Sequence, residues 1–215
     1  MSPISPNCPL SQFSFGLNKE QVFDVWAKTY DLLLPSVFYQ ALHQRLLEYV
    51  ELPENPRVLD LGCGTGRLLS RLAEAMPQLQ GTGLDFSTEM LNQARQRNRY
   101  GSRLTYVSGS AESLPFNAGE FDGVFSTVSF LHYPRPEAVF SEIQRVLKPG
   151  GRFHWVDAAP SRYGPDVVTL PVTPGGVTLY SHSARDLLGR DAGIPVLVHQ
   201  YLISSVLLTI FVNEQ

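Results

Sequence analysis

Arg57-Val58-Leu59-Asp60-Leu61-Gly62-Cys63-Gly64-Thr65-Gly66-Arg67-Leu68-Leu69 is the stretch that decides the fold of this chain. Its opening apolar run, interrupted by a single carboxylate, reads as a short buried strand, and the glycines that follow read as a tight turn. From Arg67 to Met76 the spacing of Leu68, Leu69 and Leu72 predicts a helix with those residues inward. Glycines remove the Cβ atoms that would hold a ligand away from the backbone. The helix behind them offers unpaired N–H groups to a ligand oxygen. A ligand is therefore expected at the carboxyl end of this strand.

The same rhythm continues outward. Residues 81–85 read as a second strand, with Ser87 as the N-cap of a helix that buries Met90, Leu91 and Ala94. Residues 104–107 and 121–126 read as a third and a fourth strand. A helix over residues 136–147 is expected to stop at Lys148-Pro149-Gly150-Gly151, and residues 152–156 supply a fifth strand. Strands that alternate with helices of this length need crossover connections, which makes neighbouring strands parallel. Two further apolar runs, residues 196–203 and 206–212, are separated only by Ser204 and Ser205. That gap is too short for a crossover, so any pairing between them is antiparallel. Ser-Ser is a poor tight-turn dipeptide, which leaves the place of the turn open. The expected fold class is α/β: a doubly wound, mainly parallel seven-stranded sheet with one antiparallel strand near the carboxyl terminus, Rossmann-like in its winding.

Two details narrow the ligand. The dinucleotide fingerprint requires Gly or Ala at a third position, where Gly62 and Gly64 lead to Arg67, and Gly64 and Gly66 lead to Leu69. The phosphate-loop ending Gly-Lys-Ser/Thr is absent too. Asp60 stands just before the turn, where a carboxylate repels a pyrophosphate and suits an ammonium group. Asp85 ends the second strand, where one carboxylate can accept from both hydroxyls of a ribose. The plainer reading, in which both acids only cap the following helices, is the alternative.

These residues resemble the class I S-adenosylmethionine-dependent methyltransferases, particularly the small-molecule branch of ubiquinone and menaquinone C-methyltransferases. The likeness runs through Val58 to Gly66, Gly83-Leu84-Asp85-Phe86-Ser87 and Ala111-Glu112-Ser113-Leu114-Pro115-Phe116. It continues through Phe121-Asp122, Leu131-His132 and Arg145-Val146-Leu147-Lys148-Pro149-Gly150-Gly151. The resemblance implies S-adenosyl-L-methionine as cofactor. Asp60, Gly62 and Gly64 would hold its methionine end, Asp85 its ribose and Phe86 its adenine. Ser110 and Ala111 would meet the adenine edge, although family members often carry Asp where this chain has Ser110. Ser126 would line the cofactor beside the sulfonium. Phe23-Asp24-Val25-Trp26-Ala27-Lys28-Thr29-Tyr30-Asp31 resembles the family's lid, with Tyr30 closing over the methionine end.

The resulting organisation is a loose arm over residues 1–18, marked by Pro3, Pro6 and Pro9, and a single methyltransferase domain over 19–215. Within it, residues 19–56 form a helical lid, 57–157 the cofactor-binding core and 158–182 a substrate cap. In the lid, Pro35 suits the first turn of a second helix whose face includes Phe38, Leu42, Leu46, Leu47 and Val50. In the cap, Thr173-Pro174-Gly175-Gly176 lies between two extended runs, as a hairpin or an extended cover. Residues 183–192 read as a last helix.

Methyl transfer to an acidic oxygen, nitrogen or carbon needs a base, and His132, after the fourth strand, is the candidate. The expected acceptor is a small, partly hydrophobic molecule. A cofactor-binding module of the same fold without turnover is the competing reading. A net charge of −3 leaves no electrostatic footprint for nucleic acid. The basic run Arg95, Arg97, Arg99 and Arg103 reads as a solvated helix face. Cys8 and Cys63 support no disulfide framework, and Cys63 reads as a structural thiol. His154, within the fifth strand, reads as packed, and His43, His182 and His199 show no partner spacing for a metal. No apolar stretch is long enough to span a bilayer and no secretory leader is evident, so a cytoplasmic protein without membrane insertion is expected.

Overall fold

A seven-stranded sheet forms the centre of the computed structural model, which describes residues 33–161, 163–173 and 176–215. The proposed arm, the lid motif and Tyr30 lie outside the described residues. Helix α1 (Leu33–Leu47) leads into β1 (Arg57–Leu61), α2 (Arg67–Ala75), β2 (Gln80–Asp85), α3 (Thr88–Arg97) and β3 (Leu104–Ser108). There follow β4 (Phe121–Thr127), α4 (Pro136–Val146) and β5 (Leu147–Ala158). The chain ends with β6 (Val167–Leu170), β7 (Val177–Tyr180), α5 (His182–Asp191), β8 (Val196–Ile203) and β9 (Val206–Val212).

The sheet order is β3-β2-β1-β4-β5-β9-β8; strands β1 to β5 pair in parallel, and β9 alone runs against its neighbours β5 and β8. The chain crosses over from β3, at one edge, to β4, on the other side of β1. That reversal opens a crevice at the carboxyl ends of β1 and β4, where ligands of wound α/β sheets bind.

The two faces of the sheet are packed differently. One face is aliphatic: Leu42 and Leu46 of α1, Leu68, Leu69 and Leu72 of α2, and Leu91 of α3 close over it. The other is aromatic, where Phe140 of α4 meets Phe130, Phe153, Trp155 and Phe211, and Tyr180 packs on Phe130 and Trp155. Phe38, expected on the inner face of α1, is exposed instead, because the buried stripe runs along Leu42 and Leu46.

Two local expectations are revised. Helix α4 stops at Val146 as its stop signal requires, yet the chain enters β5 at once, without an intervening loop. Phe121 pairs with Leu147 and Gly123 with Arg152, so Lys148-Pro149-Gly150-Gly151 bulges out of the ladder. The bulge is held by Gly150 N–H on Asn213 O at 2.6 Å and Asn213 N–H on Gly151 O at 2.9 Å. At the β8–β9 connection the turn does fall on Ser204 and Ser205, with Ser204 at φ 49°. Strands β6 and β7 pair antiparallel, so the stretch around 173–176 joins a hairpin. Among the described residues no helix is long and apolar enough to cross a membrane.

Candidate functional site

The loop after β1 is tied to the end of β2 by its own backbone. Gly62 and Cys63 N–H both donate to Leu84 O, at 2.8 and 3.0 Å. Gly64 N–H donates to Asp85 Oδ2 at 2.8 Å, and Ser87 N–H to Asp85 Oδ1 at 2.9 Å. Asp85 thus clamps the glycine loop to the start of α3, while Ser87 Oγ caps that helix by accepting from Met90 N–H. The N-cap of α2 is Gly66, with no side-chain cap. Neither acid is therefore an N-cap, which removes the plainer reading of the pair.

Gly62 has φ 67°, and a Cβ there would stand 2.6 Å from Ser129 Cβ, so only glycine fits. Gly64, at φ 51°, has no atom of a described residue beyond its chain neighbours within 4 Å of where its Cβ would lie, which leaves its backbone open to a ligand. Both glycines line a cavity of about 430 Å³ in the crevice. That volume falls in the range of roughly 300 to 1,000 Å³ typical of small-ligand sites. Asp85, Phe86, Ser110, Ala111 and His132 line it too. These seven sequence-predicted residues are brought together.

Two others, Asp60 and Ser126, are placed differently. Asp60 lies beneath the loop, 1% exposed and outside the lining. Its Oδ1 has no hydrogen-bond partner among the described residues. Burial first, and the Asp85 carboxylate second, hold the Asp60 carboxyl well above the usual carboxylate range. Ser126 is fully buried and meets the cavity through a neighbour: its Oγ is 2.7 Å from Ser129 Oγ, and Ser129 donates to Leu61 O at 2.8 Å. Tyr30 lies outside the described residues. Cys63 is buried, and burial above all, with Asp60 and Asp85 adding to it, pushes its thiol well up, which suits a structural thiol.

The turn after β4 supplies wall residues that motif reading missed. Val128 takes φ 53°, a strained conformation for a β-branched residue, and its N–H extends the β4–β5 ladder to Val156 O at 2.8 Å. The 3-10 turn Phe130–His132 then brings His132 and Tyr133 to the cavity wall. Asp157, at the end of β5, fixes this turn from behind, accepting from Leu131 N–H at 3.2 Å and Trp155 Nε1 at 2.7 Å. On the far wall, Glu112 is held by Arg135 Nε at 2.8 Å. Ser110 Oγ accepts from Glu112 N–H at 3.2 Å, which leaves its hydroxyl free to act on a ligand as well. A positive φ at a valine and a partner for Asp157 leave no trace in local sequence. Among the described residues of 158–182 none lines the cavity, and Tyr163, Val167, Leu170 and Val172 face outward.

A methyltransferase domain family matches residues 58–151. The ubiquinone/menaquinone biosynthesis C-methyltransferase of Rhizobium johnstonii is 31% identical over 196 residues, covering 86% of this chain and 73% of that relative. The fatty-acid O-methyltransferase of Mycolicibacterium smegmatis is 40% identical over 107 residues, or 50% of this chain, and the match spans only 39% of that relative's length. In structure, the chain is similar to a Haloferax volcanii methyltransferase solved in complex with the Trm112 methyltransferase activator. The TM-score is 0.76 over 90% of this chain and 98% of that one, at 24% identity, a likeness of fold.

Proposed function

We propose, from the premise that this chain belongs to the S-adenosylmethionine-dependent methyltransferases, that it methylates a small, partly hydrophobic acceptor. S-adenosyl-L-methionine is the cofactor, and it supplies a methyl group activated on a sulfonium. The observation that carries the proposal is the cavity itself, where Gly62, Gly64, Asp85, Phe86 and Ser110 converge at the switch point of the sheet.

The residues present fit that cofactor. A carboxylate offers about four lone-pair sites, and two of those on Asp85 accept from Gly64 and Ser87. Facing the cavity, the same carboxylate suits the two ribose hydroxyls. The buried Oδ1 of Asp60, without a partner among the described residues, suits the methionine ammonium. The open backbone of Gly64, beside that of Gly62, leaves room for the same end. Phe86, 38% exposed on the cavity wall, offers an apolar face to the adenine, and Ser110 and Ala111 meet its edge. Ser126 acts through Ser129, and Tyr30 closes over the methionine end.

Holding the acceptor in line with the methyl group can supply roughly 7 to 11 kcal/mol of the barrier. His132, on the cavity wall, takes the acceptor's proton. Leu84, Met90, Val128 and Pro134 give the cavity apolar wall, consistent with a partly hydrophobic acceptor. Two relatives point the same way, being named for ubiquinone/menaquinone synthesis and for fatty acids. The test offers labelled S-adenosylmethionine with a panel of fatty acids and quinols, and with peptides and RNA as controls. Label is expected on a member of the first group. Label only on peptide or RNA would end the proposal.

A further inference from the structure

The glycine loop keeps few of its own donors for a ligand anion. The N–H groups of Gly62 and Cys63 are spent on Leu84 O, that of Gly64 on Asp85 Oδ2 and that of Gly66 on Cys63 O at 2.9 Å. No Lys or Arg stands among the described residues that line the cavity, and Asp85 and Glu112 make its wall acidic. Yet the amino-acid end of S-adenosylmethionine carries a carboxylate as well as an ammonium group. Asp60 suits the ammonium. The carboxylate needs a donor that these loop groups, as folded, do not supply.

Tyr133 has one. Its hydroxyl is buried, lies 3.2 Å from where a Cβ on Gly62 would stand, and has no hydrogen-bond partner among the described residues. A buried hydroxyl left in that state costs free energy, which a ligand oxygen recovers. Ser129 Oγ, on the same turn, already donates its proton to Leu61 O, so it adds no donor here. The Tyr133 ring is held edge-on against Phe130, with centroids 5.2 Å apart, and its backbone N–H donates to Phe130 O at 3.0 Å. Burial above all raises the pKa of the phenol; Ser129 opposes the rise, and the carboxylates of Asp85, Asp157 and Asp60 add to it. The group therefore stays protonated and acts as a donor, not as a base.

We propose that the Tyr133 hydroxyl donates a hydrogen bond to the methionine carboxylate of S-adenosylmethionine. The amino-acid end is then read by two buried groups, an acid for its ammonium and a phenol for its carboxylate. The inference rests on the cofactor assignment above and is independent of the acceptor. Its place favours the cofactor over the acceptor, because the hydroxyl stands against Gly62, two residues after Asp60. A hydrogen bond to a charged oxygen is also stronger than one to a neutral group.

The test is calorimetry on the full chain with S-adenosylhomocysteine and with its decarboxylated analogue, for the parent and for Tyr133→Phe. The variant is expected to bind S-adenosylhomocysteine about tenfold more weakly. Its affinity for the decarboxylated analogue should equal that of the parent. Without ligand its melting temperature should not fall, since the ring is kept and a hydroxyl without a partner is removed. The ratio of the two affinities is the readout, and a general loosening of the cavity would leave that ratio level. An equal loss for both ligands overturns the proposal. So does no loss for either, and a raised KM for the acceptor in that case would place the hydroxyl on the acceptor instead. A parent that binds neither ligand overturns the cofactor assignment and this proposal with it, whereas a parent that binds both while the variant fails to discriminate overturns the proposal alone.

Discussion

Asp85 accepts two backbone N–H groups and faces the cofactor cavity, so a change there separates cofactor binding from folding less cleanly than a surface change would. Asp85→Ala is expected to weaken S-adenosylhomocysteine binding by about 1 to 3 kcal/mol in calorimetry, through lost acceptors for the ribose. An unchanged affinity would mean that the carboxylate serves only the loop and Ser87. His132 is the opposite case. It lines the cavity, and the chain around it is fixed by Asp157. His132→Gln is expected to lower kcat by roughly 10²- to 10⁴-fold while cofactor affinity stays level. A kcat within twofold of the parent would remove it as the base. The cavity-facing place of both was legible, since Asp85 ends β2 and His132 follows β4. Ser129 and Tyr133 were not, since their role depends on a loop conformation that carries Val128 through positive φ.

At the scale of elements, the β1–loop–α2 unit reads directly from its glycines, and its sensitivity follows. Gly62→Ala would force a Cβ to 2.6 Å from Ser129 Cβ at φ 67°. The expected cost is about 2 kcal/mol or more in urea unfolding, with weakened cofactor binding. A neutral result would show that the turn after β4 can retreat. The start of α3 offers a milder test. Ser87 is fully buried and caps Met90 N–H at 3.2 Å, so Ser87→Ala should cost about 1 kcal/mol in the same measurement. Where elements meet, sequence was less informative. The stop signal at 148–151 was sound for α4, yet bonds to Asn213, some sixty residues later in the chain, keep that stretch within β5. Turn propensity likewise disfavoured Ser204-Ser205, but β9 is fixed in register on β5 and Ile203 of β8 pairs with Val206 of β9, which leaves the turn no other place.

At the scale of the whole molecule, a buried charge joins the carboxyl-terminal elements to the core. Arg185 of α5 is fully buried, lies 4.2 Å from the Trp155 ring and donates to Leu207 O at 3.0 Å and Thr209 Oγ1 at 3.2 Å. It also reaches Asp157 O at 3.3 Å, beside a carboxyl that burial pushes up to about 7, with Arg185 opposing. Because the folded pKa lies above the usual 3.8, folding favours the protonated acid. That contribution is complete below pH 3.8 and is lost as pH rises through 7. The unfolding free energy of the parent relative to Asp157→Asn should therefore fall between those limits, by up to about 1.4 kcal/mol per pH unit. Parallel profiles would show that Asp157 is not the titrating group. His43 and His154, both lowered to about 3 chiefly by burial, act in the opposite direction, but they are present in both proteins and cancel in the difference. The alternating strands and helices, the parallel winding, the reversed last strand and the glycine loop with Asp85 all followed from sequence, because apolar period, glycine and chain length act locally. Tertiary structure alone decided that Asp60 lies beneath the loop, that Ser129 stands between Ser126 and the cavity, and that the Tyr133 hydroxyl stands against Gly62. Those outcomes depend on which distant side chains share a volume, and spacing along the chain carries no record of that.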